Sequence, residues 1–250
     1  MLKSTNGTTC NPGSENKNDS TQETQTIVIS AKKLTRTYAH GTAEVVGLNR
    51  IDLEIAAGEM VVIKGNSGCG KSTLLSLLAG LDRPTSGQLV VAEHDLAGTS
   101  DRELTLFRRK VIGMVFQAFN LLPTLNVLEN VCLPAMLAGR PDMEIVPKAR
   151  EYLNWMGLDH RLTHRPAQLS GGEMQRAAIA RALINDPAII LADEPTGNLD
   201  SRNGANVMDL LAELNRKFEQ TVIVATHSGL ADPHATRQIY LKDGRITGQP

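Results

Sequence analysis

The sequence predicts an α/β fold built on a mostly parallel sheet, and three observations predict it. Short apolar runs, Met60-Val61-Val62-Ile63, Ile189-Ile190-Leu191-Ala192 and, after Thr221, Val222-Ile223-Val224-Ala225, are unbroken by polar residues. That is the pattern of strands buried on both faces. Helix-spaced stretches separate them, and a glycine-rich loop joins the first run directly to one of those helices.

In chain order, residues 1–25 are rich in Ser, Thr, Asn, Gln and Gly and poor in large apolar side chains. They are expected to form a disordered polar tail, because they offer too little surface to offset the entropy of ordering. Residues 26–250 are expected to form one domain. Ile27-Val28-Ile29 with Leu34 reads as a strand, followed by a second over Val45 to Ile55, together an N-terminal antiparallel β subdomain. Ala57-Gly58 marks a turn before the strand Met60–Ile63. Leu74, Leu75, Leu77, Leu78 and Leu81 recur at helical spacing after the glycine loop, and Gly80 falls near the helix end.

Val111–Phe116 is another buried-strand candidate, ending at Gln117. Residues 118–168 hold Pro123, Pro134, Pro141 and Pro147, with helical patches over Val127–Ala138 and Pro147–Met156. They read as an α-helical subdomain inserted in the core. Gly172–Ile184 is a helix stopped by Asn185-Asp186-Pro187, and Val207–Phe218 is an amphipathic helix. Gln238–Leu241 and Lys242–Ile246 form a hairpin turned by Asp243-Gly244. No internal repeat is present.

Composition narrows the function. The 250 residues are 41% hydrophobic and 21% charged with a formal net charge of -1, so bulk electrostatics give no reason to expect nucleic acid. No apolar run approaches the ~20 residues that cross a bilayer, and no hydrophobic stretch follows Met1-Leu2-Lys3-Ser4 as a secretory signal would. Three cysteines, Cys10, Cys69 and Cys132, form no disulfide framework and fit a reducing compartment.

The chemistry lies in the motifs. Gly65-Asn66-Ser67-Gly68-Cys69-Gly70-Lys71-Ser72-Thr73 follows a strand and opens a helix, the context a phosphate-binding loop needs. Its glycines let backbone N–H groups approach phosphate oxygens, the helix start supplies partial positive charge, and Lys71 adds a point charge. The Ser72 hydroxyl suits Mg²⁺. Cys69, inside the loop, is expected to be open to alkylation that bound nucleotide would block. Asp193 and Glu194 end a buried strand, where Asp193 can be held beside a metal and Glu194 can polarise an attacking water. Leu169-Ser170-Gly171-Gly172-Glu173 offers a second helix start suited to an anion; the same residues also read as a capping box of Ser170 and Glu173.

The phosphate loop, followed about a hundred residues later by LSGGE and then by a strand ending Asp193-Glu194-Pro195, resembles the nucleotide-binding subunit of ABC (ATP-binding cassette) transporters over roughly residues 27–247. The resemblance implies the ABC ATPase fold, a P-loop NTPase core carrying the two subdomains, and hydrolysis of ATP with Mg²⁺. It implies that Gln117 links metal and attacking water to the helical subdomain. His227 would contact the γ-phosphate, Tyr38 would stack on adenine, and Asp200 would communicate between two nucleotide sites. Ser170, Gly171, Gly172 and Glu173 would face the nucleotide held by a second copy of the chain. The partners implied are that second copy and a separate integral membrane subunit, with this chain peripheral on the cytoplasmic face of the inner membrane. Phe116-Gln117-Ala118-Phe119-Asn120-Leu121-Leu122-Pro123 and His164-Arg165-Pro166 look like the LolD and MacB branch, which releases lipoproteins, exports macrolides or peptides, or acts in cell division. Phe119, Leu121 and Leu122 would line a groove for the membrane subunit, or simply pack the subdomain. Ser228 departs from the acidic residue common after the family's histidine. The alternatives are a soluble ABC ATPase of DNA repair or the ribosome, which usually carries long insertions or two fused cassettes, and a phosphotransferase sharing only the phosphate loop.

Overall fold

The computed structural model describes residues 26–41 and 43–248; the expected polar tail, residues 1–25, lies outside them. In chain order the elements are β1 (Ile27–His40), β2 (Ala43–Ala56), β3 (Met60–Lys64), α1 (Lys71–Leu78), β4 (Ser86–Val91), β5 (His94–Asp95), α2 (Asp101–Lys110), β6 (Ile112–Phe116), α3 (Val127–Leu137), α4 (Asp142–Trp155), α5 (Gly171–Leu183), β7 (Ile189–Asp193), α6 (Ser201–Phe218), β8 (Thr221–Ala225), β9 (Arg237–Lys242) and β10 (Arg245–Thr247).

Two sheets form. One is antiparallel, in the order β2-β1-β4-β5; the other has six strands, β10-β9-β3-β8-β7-β6. Neighbours from β9 through β6 pair in parallel, and only β10 runs against its neighbour. This is the expected fold.

Side-chain alternation along the parallel strands assigns each face its own core. Met60, Val62, Ile190, Ala192, Val222 and Val224 point toward α3, α4, α5 and α6. Val61, Ile63, Ile189, Leu191, Ile223 and Ala225 point toward α1, α2 and the antiparallel sheet. Every residue of β8 is buried, and each large aliphatic side chain there contributes about 1.5–3 kcal/mol of transfer free energy.

The register matters most for function. Phe116 pairs with Asp193, Asp193 with Ala225, and Ala225 with Ile63. The next residues, Gln117, Glu194 and Thr226, therefore leave the sheet in one row beside Lys64, the last residue of β3, at its carboxyl edge, where open α/β sheets bind ligands.

Several boundaries differ from the sequence reading. The helix expected over Val207–Phe218 begins at Ser201, because the Asp200 side chain accepts from Asn203 N at 2.9 Å and caps it. The helix expected from Pro147 begins at Asp142 and accommodates Pro147 within its second turn. Residues 86–110 were assigned no element, yet they hold β4, β5 and α2. Among the described residues, no helix is long and apolar enough to cross a membrane.

Candidate functional site

At the carboxyl edge the structure opens a cleft of about 690 Å³. Its lining includes Tyr38, Asn66, Ser67, Gly68, Gly70, Lys71, Ser72, Thr73, Gln117, Glu194 and His227. These residues come from β1, the phosphate loop and the ends of three parallel strands, and the register described above brings them together.

The loop wraps an open space. Gly68 and Gly70 adopt φ of 78° and 109°, conformations that cost an L side chain dearly. Gly70 is the N-cap of α1, and no side chain caps that helix start. A helix start leaves its first N–H groups without intrahelical partners, and Gly68, Gly70, Lys71, Ser72 and Thr73 all line the cleft. Lys71 folds back over the loop, with Nζ donating to Gly65 O at 2.8 Å and to Asn66 O at 3.3 Å.

Gly65 and Cys69 do not line the cleft. A Cβ at Gly65 would meet Leu241 O at 2.3 Å and Cys69 Sγ at 2.5 Å, so both lie on the loop's inner side. Cys69 is buried in the core shared with α1, which corrects the expectation of a thiol open to alkylation.

The acidic groups are held firmly. Ser72 Oγ donates to Asp193 Oδ1 at 3.1 Å. Burial pushes the Asp193 carboxyl above its ordinary range, and the neighbouring Glu194 adds to this, while the Ser72 hydroxyl and Lys71 work against it. Glu194 has φ 45°, a left-handed conformation that costs a non-glycine residue about 1–3 kcal/mol and persists where surroundings over-determine it. Here they do. Glu194 N donates to Ala225 O at 2.8 Å, and Thr226 Oγ1 donates to Glu194 Oε2 at 2.9 Å. His227 Nδ1 lies 2.9 Å from Glu194 Oε1, and Lys71 Nζ lies 3.7 Å from the same oxygen. That ammonium offsets part of the charge of two adjacent carboxylates.

Tyr38 reaches the cleft with its ring already fixed. Its hydroxyl donates to Asp82 Oδ2 at 2.9 Å, Arg36 Nε contacts the same oxygen at 2.8 Å, and the Arg36 guanidinium lies 4.5 Å from the ring centroid.

Ser170, Gly171, Gly172, Glu173 and Asp200 form a second cluster outside the cleft lining. Ser170 is the N-cap of α5 and makes a full capping box: Glu173 N donates to Ser170 Oγ at 3.3 Å, and Ser170 N to Glu173 Oε2 at 2.8 Å. These bonds, first that from the Ser170 backbone, lower the Glu173 carboxyl to about 2, with Arg161 at 2.9 Å assisting against the effect of burial. Gly171 and Gly172 are needed for space, since Cβ atoms would meet Leu199 Cδ2 at 3.1 Å and Asn203 Oδ1 at 2.6 Å. Asp200 bonds Asn203, and those bonds hold its carboxyl below the ordinary range. Gln117 joins cleft and cluster: its carbonyl accepts from Asn198 Nδ2 at 3.0 Å.

Sequence reading missed Thr226, Asn198 and Asn203. Each touches a predicted site residue, and Thr226 adjoins His227 in the chain, the one available signal.

The chain matches the family model described as ABC transporter over residues 48–197. It is 48% identical over 219 residues to an uncharacterized ABC transporter ATP-binding protein, MJ1508, of Methanocaldococcus jannaschii, covering 88% of this chain and 97% of that one. It is 43% identical over 219 residues to the lipoprotein-releasing system ATP-binding protein LolD of Cytophaga hutchinsonii, covering 88% and 98%. Among solved structures it resembles the dimeric ABC transporter cassette MJ0796, with TM-score 0.81 and 45% identity over 87% of this chain and 96% of that one. It is similarly close to a dimeric post-hydrolysis state of MJ0796 bound to ADP and Pi, with TM-score 0.81 and 44% identity over the same shares.

Proposed function

Because the chain belongs to the ABC transporter family, as its ATP-binding and ATP-hydrolysing subunit, we propose how its residues divide the work. The phosphate loop holds the β- and γ-phosphates through its amides, and Lys71 turns from Gly65 O and Asn66 O onto them. Tyr38, braced by Arg36 and Asp82, stacks on adenine.

Ser72 and Asp193 fit a magnesium ion: a hydroxyl and a carboxylate oxygen face each other at 3.1 Å, and Mg²⁺ favours such hard oxygen donors in small number. Gln117 supplies a further amide from the cleft wall. When bound, the ion neutralises charge on the phosphate oxygens.

Glu194 polarises the attacking water. As the water oxygen bonds to the γ-phosphorus, the bond from that phosphorus to the β,γ-bridging oxygen breaks. The water's proton passes toward Glu194, and ADP and phosphate result. His227 and Thr226 fix the Glu194 carboxylate, and His227 also reaches the γ-phosphate. In the reading we favour, Ser170, Gly171, Gly172 and Glu173 complete the pocket of a second copy, and Asp200 lies between the two sites. The description of MJ0796 as dimeric supports a second copy as partner.

The likeness to LolD supports a role in lipoprotein release or in a related export system. The chain would then act on the cytoplasmic face of the inner membrane, bound to a separate integral membrane subunit. Residues 1–25 would be a polar extension of a single ATPase domain.

The observation that carries the reading is the Glu194 carboxylate, held by Thr226 and His227 and 3.7 Å from Lys71. Phosphate release by the purified chain tests it. Glu194→Gln is expected to slow hydrolysis by roughly 10²–10⁴-fold while ATP binding persists. Normal turnover would remove Glu194 from its role. Mass spectrometry of proteins co-purifying with a tagged chain from membranes tests the branch, and recovery of no membrane protein would count against it.

A further inference from the structure

One buried cation takes no part in the mechanism above. Lys64 is the last residue of β3, immediately before the phosphate loop, and its side chain is only 13% exposed. A lysine end is rarely buried without a partner. Its Nζ donates to Ser228 O at 2.8 Å and pairs with Asp232 Oδ1 at 2.5 Å. Both partners belong to the segment that follows β8 and carries His227.

That segment has other anchors as well: Ala231 is fully buried, His234 Nε2 lies 3.4 Å from Asp209 Oδ1, and His227 contacts Glu194 through its ring and its backbone N–H. His227 is exposed, with a side chain 71% open to solvent. Ser228 N donates to Thr226 Oγ1 at 3.0 Å, and Ser228 Oγ accepts from Leu230 N at 3.2 Å, which shapes the 3₁₀ turn Gly229–His234. These bonds are local to the segment. Lys64, like Glu194 and Asp209, acts across the fold, and it ties Ser228 and Asp232 across 164 and 168 positions of sequence to β3. The same strand feeds the phosphate loop through Gly65, so this ammonium joins the residues that follow His227 to the strand that sets the loop, alongside the Glu194 contact to the imidazole itself.

We propose that Lys64, together with Asp232, is a positioning residue for His227. It sets where the imidazole stands relative to the phosphate loop and touches neither nucleotide nor water. The proposal rests on the reading that His227 serves hydrolysis. Neutralising Lys64 leaves the loop amides and Lys71 in place, so nucleotide affinity should hold while turnover falls. A full ångström of misplacement in a catalytic group can cost ~10²-fold, and a loosened tether should cost about tenfold.

The experiment compares Lys64→Met, Lys64→Arg, Asp232→Asn, His227→Ala and the double variant Lys64→Met with His227→Ala, all in the full-length chain. It reads kcat and KM for ATP, Kd for a fluorescent ATP analogue, and thermal unfolding. Expected are a kcat lowered about tenfold in Lys64→Met and less in Asp232→Asn, with KM and Kd unchanged. Partial recovery is expected in Lys64→Arg, and no further loss when Lys64→Met is added to His227→Ala. Unchanged kcat in both Lys64→Met and Asp232→Asn, beside a lowered kcat in His227→Ala, would overturn the tether alone. So would a loss from Lys64→Met that persists undiminished on the His227→Ala background. Unchanged kcat in His227→Ala would instead overturn the role of His227. Should Lys64→Met fail to fold, the partly exposed Asp232→Asn gives the same comparison.

Discussion

Two helices of this protein begin with glycine and serine, and they begin in opposite ways. At α1 the N-cap is Gly70 in a left-handed conformation, and no side chain satisfies the first N–H groups. At α5 the N-cap is Ser170 in an extended conformation, and Ser170 and Glu173 bond each other's backbone. The first start is left open for an anion; the second is closed on itself. Their glycines differ to match. Gly68 serves a dihedral angle and Gly70 both an angle and the close approach of Gly47 O, whereas Gly171 and Gly172, at negative φ, only make room for Leu199 and Asn203. Under the function we propose, one helix end receives the phosphate bound by its own chain, and the other exchanges an internal partner for an external one when a second copy arrives.

The largest expected effect comes from breaking the open start. Gly65→Ala would put a Cβ 2.3 Å from Leu241 O, a backbone atom, at φ 153°. Strain of about 1–3 kcal/mol or more follows, seen as a lowered midpoint of thermal unfolding with loss of ATP binding. Lys71→Ala should leave folding nearly intact and weaken ATP binding by roughly 10- to 100-fold, the worth of a charged donor; equilibrium titration reads this. Ser170→Ala should cost about 1 kcal/mol of stability through the lost cap. It should spare ATP binding by a single copy and suppress ATP-dependent dimerisation, read by light scattering. Equal effects of Lys71→Ala and Ser170→Ala on binding would erase the comparison.

The smallest effect concerns pH. Glu173 ionises at about 2 in the folded protein, below its ordinary value of 4.5. A lowered folded value means the contribution is present above about pH 4.5 and is lost as pH falls from there toward 2. Thermal unfolding followed across that window should fall more steeply for the wild type than for Glu173→Gln.

The phosphate loop was legible because its constraints are local: nine consecutive residues carry the dihedral freedom, the charge and the hydroxyl. The parallel strands were legible because unbroken apolar runs have few other uses. What sequence hid was pairing at a distance. Thr226 meets Glu194 across 32 positions, and Lys64 meets Asp232 across 168; no pattern links such residues until the strands are in register. The left-handed Glu194 was equally hidden, since its conformation is imposed by Ala225 and Thr226. Residues 86–110 escaped assignment because α2 buries only Leu104 and Phe107, too few to show a period. The capping box of Ser100 and Glu103 that starts α2 was nevertheless readable.

The common level at which β6, β7, β8 and β3 end has a further consequence. The residues that deliver Gln117, Glu194, Thr226 and Lys64 are paired to one another by backbone hydrogen bonds inside the most deeply buried layer. The anvil of the machine and its foundation are therefore one object. Whatever moves during a working stroke has to hang from that row, and deuterium should reach the amides of β8 only when the whole molecule comes apart.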